Sequence, residues 1–154
     1  MKKGSPAIDS LIPPPEVAWS SRSEVIPLPR SMQRMGKVLV IEDDMNLVCS
    51  LSRTMKRAGY RVVSARDGTN GLDLVLLEDP DVILLDLAVP GMRGSRVLHE
   101  IRRRSDVPVV IITGELDLHI DLQATASHDV SAVFRKPFST KELLRSIRGI
   151  LGRD

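Results

Sequence analysis

A doubly wound parallel α/β fold is predicted by three features of the chain. Short apolar runs alternate five times with amphipathic stretches between Lys37 and Leu151, which is strand-helix order throughout. The runs are continuous rather than alternating, as strands buried on both faces require. Polar residues close most of the runs, and in a parallel sheet those closing residues share one edge, where such folds bind ligands.

The first run is Val38-Leu39-Val40-Ile41, and Glu42-Asp43-Asp44 stops it. Asp44 is placed to cap a helix in which Val48, Leu51, Met55 and Ala58 recur at three and four residues, with Gly59 as its stop. Cys49 lies in this helix and reads as a small core residue. Arg61 to Ala65 forms the second strand. Asp67-Gly68 then turns the chain into a helix carrying Leu72, Val75 and Leu76, and Pro80 closes that unit.

The third strand is Val82-Ile83-Leu84-Leu85-Asp86, followed by the loop Leu87-Ala88-Val89-Pro90-Gly91. A helix with Val97, Leu98 and Ile101 on one face follows it. Arg102, Arg103 and Arg104 end that helix, where cations suit the dipole. Val107 to Ile112 is the fourth strand, closed by Thr113-Gly114-Glu115.

From Glu115 to Val130 the pattern is mixed. Leu116, Leu118, Ile120 and Leu122 alternate as a strand would, yet a parallel crossover demands a helix, and a helix is expected. These four residues cannot all face inward on it, so exposed apolar surface is expected there. Ala132 to Arg135 is the fifth strand and leads into Lys136-Pro137-Phe138. Ser139 with Glu142 forms a capping box for a last helix carrying Leu143, Leu144, Ile147 and Leu151.

Composition narrows the function. The chain has 154 residues, 42% hydrophobic and 27% charged, enough for one domain with a full core. The formal charge is only +2, and from Lys37 onward acids and bases balance, which argues against general nucleic-acid or membrane-surface binding. Cys49 is the single cysteine, so neither an intrachain disulfide nor a cysteine metal cluster is available. Nothing resembles a membrane span or a signal peptide, and a cytoplasmic location is expected. Residues 1–36 carry six prolines among serines and charges, without a sustained apolar period. They are expected to be a disordered extension before a domain at 37–154, with Val17-Ala18-Trp19 either a docking motif or part of a passive leader.

The closing residues form a chemical set: Glu42 and Asp43 after the first strand, Asp86 at the third, Thr113 at the fourth and Lys136 after the fifth. A charge at the end of the apolar run before Asp86 is costly unless compensated, so the position is chemical rather than architectural. Three crowded carboxylates raise one another's proton affinity unless a cation is present, and Mg²⁺ suits carboxylate oxygens. Asp86 could then attack a phosphoryl group to give an acyl phosphate. Lys136 and Thr113 would contact the phosphoryl oxygens, with N–H groups of the following loops as further donors.

These residues, with Pro90 and Gly94 after Asp86 and Phe134-Arg135-Lys136-Pro137-Phe138 at the fifth strand, resemble the receiver domain of two-component response regulators, a CheY-like superfamily. The resemblance covers about Lys37 to Gly152. It implies a flavodoxin-like sheet of order 2-1-3-4-5, with Asp86 as phospho-acceptor. It further implies Asp43, Asp86 and the Ala88 carbonyl as Mg²⁺ ligands, Glu42 acting on the ion through water, and Thr113 and Lys136 as switch and phosphoryl-binding groups. The implied donor is a sensor histidine kinase or a histidine phosphotransfer protein. The resemblance implies a domain that catalyses its own phosphorylation and dephosphorylation and is otherwise not an enzyme.

Two positions depart from the family pattern. An aromatic residue usually stands three before the lysine, and here that position is Val133, with Phe134 on the opposite strand face. The usual small turn residue before the fifth strand is replaced around His128-Asp129. Since only three residues follow Leu151, the expected output is a phosphorylation-dependent contact with an unknown downstream protein, as in a single-domain response regulator. The alternatives are a phosphorelay intermediate or phosphate sink, or a segment detached from a hybrid kinase or transcription factor. An aspartyl-phosphate phosphatase would want a second acid two residues after the nucleophile, where Ala88 stands. His99, His119 and His128 share no metal-ligand spacing and read as surface residues, as do Arg93, Arg96 and the Arg102–Arg104 group.

Overall fold

Five parallel strands form one sheet in the order β2-β1-β3-β4-β5. The structure is a computed structural model describing residues 35–114 and 130–153. The strands are β1 (Lys37–Ile41), β2 (Arg61–Ala65), β3 (Val82–Asp86), β4 (Val109–Thr113) and β5 (Ala132–Arg135). The helices are α1 (Met45–Arg57), α2 (Gly68–Glu78), α3 (Gly94–Arg102) and α4 (Thr140–Ile150). The helix expected over 115–130, the extension before residue 35, Trp19, His119 and His128 lie outside the described residues.

Alternation along each strand divides the core into two layers. Val38, Val40, Val82, Leu84, Val110 and Ile112 face α1 and α4, packing on Val48, Leu51, Met55, Leu143 and Ile147. Leu39, Ile41, Ile83, Leu85, Val109 and Ile111 face α2 and α3, packing on Val75, Val97, Leu98 and Ile101. Because β3 and β4 are covered on both faces, all ten of their residues are buried. β5 is an edge strand and alternates half-buried with exposed positions.

Helix starts follow local chemistry. Asp44 accepts from the Asn46 and Leu47 N–H groups, Asp67 from Asn70 N–H, and Ser139 from Glu142 N–H. Three expectations need correction. Cys49 is exposed, because Val48, Leu51 and Met55 define the inner stripe of α1 and residue 49 is turned about 100° beyond it. Leu76 is exposed because the inner face of α2 is Gly68, Gly71 and Val75. β4 starts at Val109, since Pro108 has no N–H for the ladder, although its carbonyl accepts from Ile83 N–H at 2.9 Å. Of the arginines read as surface residues, Arg102 closes the turn after α3, donating to the Ser105 and Val107 carbonyls at 3.3 and 2.7 Å. Arg103 and Arg104 pair with Glu100.

Candidate functional site: an acidic cluster at the carboxyl edge

Central strands that stop at a common level place their closing residues side by side. Ile41 pairs with Leu85 and Asp86 with Ile112, so the chain after β1, β3 and β4 emerges on one edge. Glu42, Asp86 and Thr113 are 0%, 3% and 1% exposed there, the three buried polar residues among those described. Lys136 enters from β5, whose end is tied across by Lys136 N–H donating to the Thr113 carbonyl at 2.7 Å.

The Lys136 ammonium donates to Asp86 Oδ2 at 2.8 Å and to Glu42 Oε2 at 2.7 Å. The other oxygen of each carboxylate accepts a backbone N–H. Ala88 donates to Asp86 Oδ1 at 2.9 Å, and Asp44 donates to Glu42 Oε1 at 3.0 Å. Each buried carboxylate therefore holds one ammonium bond and one peptide bond donor, which fixes its orientation. Asp43 is exposed, and ligand oxygens of Glu42, Asp43 and Asp86 all lie within 4.8 Å of one another.

A single ammonium does not fully compensate this cluster. Burial pushes the Glu42 carboxyl up to about 6, against the opposing bonds from Lys136 and Asp44 and with the Asp86 charge adding to the rise. Burial alone would lower Lys136, but its bonds to Asp86 and Glu42 outweigh that and raise it. Three oxygen donors, two of them desolvated and one facing solvent, suit a hard divalent cation that keeps several waters.

Sequence reading brought Glu42, Asp43, Asp86, Thr113 and Lys136 to this edge, and the structure places all five there. The Thr113 hydroxyl donates to the Gly114 carbonyl at 3.4 Å, near the limit of a hydrogen bond. Val133 is 42% exposed, on the face away from α1 and α4. Phe134 lies on the opposite face, half-buried, with its ring edge-on to Phe138 at 6.0 Å. The direct Lys136–Glu42 bond was missed, because strand-end spacing does not reveal which acid a flexible lysine reaches.

Gly94 was noted in the sequence, but its steric role was missed. A Cβ there would lie 2.3 Å from Leu87 Cα and 2.8 Å from the Leu87 carbonyl oxygen, while Gly94 N–H donates to that oxygen at 3.1 Å. The first turn of α3 thus rests on the backbone that aims Ala88 N–H at Asp86. A glycine opening a helix where Arg93 gives no side-chain cap is the available sequence signal.

A doubly wound sheet with an acidic cluster and a lysine at its carboxyl edge defines the class as an α/β domain with a cation-ready site. The chain belongs to the response regulator receiver domain family, whose family model matches residues 38–148. A receiver domain protein from Clostridium thermocellum is 27% identical, with 76% of this chain and 94% of that one covered and a TM-score of 0.70. A chemotaxis response regulator of Vibrio cholerae is 28% identical over 75% and 98% of the two chains, with a TM-score of 0.68. The receiver domain of a sensor histidine kinase from Pseudomonas aeruginosa PAO1 is 25% identical over 76% and 98%, with a TM-score of 0.69, and its structure has a magnesium ion coordinated in the active-site cleft.

Proposed function

We propose that this domain accepts a phosphoryl group on Asp86 from a phosphohistidine, on a sensor histidine kinase or a phosphotransfer protein, and signals through contacts that depend on that modification. The observation that carries the reading is the Asp86 carboxylate, 3% exposed, held between Lys136 and Ala88 N–H and grouped with Glu42 and Asp43. Mg²⁺ would be held by Asp43, Asp86 and the Ala88 carbonyl, with Glu42 acting through water, and when bound it neutralises charge on phosphoryl oxygens. The relative from Pseudomonas aeruginosa with its coordinated magnesium supports this choice of ion.

The chain's own residues do the rest. Ala88 N–H fixes Asp86 Oδ1, so the oxygen beside Lys136, Oδ2, is the attacking atom. As the new O–P bond forms, the donor's N–P bond breaks and its imidazole leaves with the electron pair. Lys136 follows the growing charge from Asp86 Oδ2 onto a phosphoryl oxygen, a short displacement for an ammonium already at 2.8 Å. The Thr113 hydroxyl, bound only weakly to Gly114, is able to turn toward another phosphoryl oxygen. The free energy for a change of state comes from these new contacts, since a group that contacts both states equally shifts nothing.

Treatment with phosphoramidate and Mg²⁺, followed by intact-mass measurement, tests the reading. Wild type is expected to gain one phosphoryl group and Asp86→Asn none. Equal labelling of the two would overturn the assignment.

A further inference from the structure

Helix α2 carries five large aliphatic residues in its eleven, and its outer face mixes leucines with polar residues. Leu72, Leu74, Val75, Leu76 and Leu77 are spread around its circumference at 100° per residue. Only one side can face the sheet: Gly68, Gly71 and Val75 are buried there, with Leu72 and Leu74 packed half-buried beside them. Leu76 and Leu77 are consequently 63% and 79% exposed, the largest values among the exposed large hydrophobic residues described. Two adjacent leucines this exposed, beside Asn70 and Asp73 on the same outer face, mark a contact surface of mixed apolar and acidic character.

Charge says what would cover it. A groove of about 840 Å³ runs beside this face, bounded by Leu74 and Leu77, with Asp43, Asp67 and Asp73 outnumbering Arg66. The last turn of α2 carries no basic residue and ends on Glu78, with Asp79 as its C-cap, both adding to the negative end of the helix dipole. Lys37 answers Glu78 alone, at 3.0 Å.

We propose that the outer face of α2 and this groove dock a basic amphipathic helix of a partner protein, its apolar stripe on Leu76 and Leu77 and its cations facing Asp67, Asp73 and Asp79. The surface also has a physical route to the candidate site. Gly68 N–H donates to the Pro90 carbonyl at 3.4 Å, and a Cβ at Gly68 would lie 2.6 Å from Val97 and 3.0 Å from Met92. The loop following Asp86 is therefore seated directly on the first turn of α2. Movement of that loop on phosphorylation is transmitted to the docking face, and this coupling, unlike the docking itself, rests on the function proposed above.

The probe is a fluorescent synthetic helix with leucines at i, i+3, i+4 and i+7 and lysines elsewhere, titrated against the full chain beside a matched leucine-glutamate peptide. The lysine peptide is expected to bind and to shift amide resonances of residues 64–79. L76K/L77K is expected to weaken it at least about tenfold, and Asp73→Lys several-fold, whereas Val133→Lys leaves it unchanged. Equal binding of the glutamate peptide, shifts centred elsewhere, or wild-type affinity in L76K/L77K would overturn the proposal. So would a doubling of protein mass abolished by L76K/L77K, which would assign the face to a second copy. Beryllofluoride with Mg²⁺ is expected to change the peptide affinity of wild type but not of Asp86→Asn. An unchanged affinity in protein that accepts phosphoryl from phosphoramidate would overturn the coupling, and failure of that labelling would instead count against the functional reading.

Discussion

Strands β3 and β5 both end at the candidate site, yet they are built differently. β3 is central, pairs with β1 and β4, and buries all five residues up to Asp86. Among the described strands β5 pairs with β4 alone and half-buries one side, leaving Val133 and Arg135 outward. The comparison separates two demands on one domain. The proposed phosphoryl transfer needs a carboxylate fixed to within a fraction of an ångström, which a doubly covered strand with a peptide donor at 2.9 Å supplies. The edge strand supplies only the approach of Lys136, and it carries Val133 at the position where its family usually has an aromatic.

The largest test of the contrast is stability. Leu84→Ala in β3 is expected to cost about 2–5 kcal/mol in denaturant unfolding, because Leu84 is fully buried against α1 and α4. Val133→Ala is expected to cost less than about 1 kcal/mol, since half the transfer and cavity terms are absent at an exposed edge. Similar costs at the two positions would break the comparison.

Next in size is Lys136→Met, which leaves two buried carboxylates without their ammonium. A loss of order 1–3 kcal/mol is expected without Mg²⁺ above pH 6, reduced from the full value for a buried pair because Lys136 is partly exposed. Added Mg²⁺ should restore much of it, and the unfolding midpoint with and without the ion measures both effects.

The pH dependence follows from Glu42. Its folded carboxyl sits near 6, above its ordinary 4.5, so the fold favours the protonated form. Its contribution to metal-free stability therefore rises as pH falls from about 6 toward 4.5. Lys136, raised above its ordinary value, stays charged across that window and adds no slope there. Mg²⁺ affinity should move the opposite way, weakening by up to roughly tenfold per pH unit below about 6 as the ion competes with the proton. Calorimetric Mg²⁺ titrations at pH 5, 6 and 7.5 check the sign.

The smallest effect concerns the route outward. Val133→Ala is expected to leave beryllofluoride-induced changes in amide exchange over 130–138 almost intact, whereas Thr113→Ala should remove most of them. Loss in Val133→Ala would show that the edge strand transmits the signal despite its exposure.

How much was legible in the sequence follows the same division. The strands of the sheet, its order by resemblance, and the five polar residues of the edge were readable because continuous apolar runs and their closing residues are local patterns. Cys49 and Leu76 were misread because helical phase depends on which face meets the sheet, and α2 carries leucines on more than one side, which blurs its phase. The close approaches at Gly94 and Gly68 were hidden for another reason. They arise between elements distant in the chain, where a missing Cβ matters only once the backbones meet.

The central claim is that Asp86, and not a neighbouring acid, carries the phosphoryl group. After phosphoramidate treatment with Mg²⁺, borohydride reduction converts an acyl phosphate of aspartate to homoserine, and peptide mass spectrometry locates it. Conversion at residue 86 alone is the expected result. Conversion at Asp43 or Asp44, or the corresponding reduction at Glu42, would contradict the account.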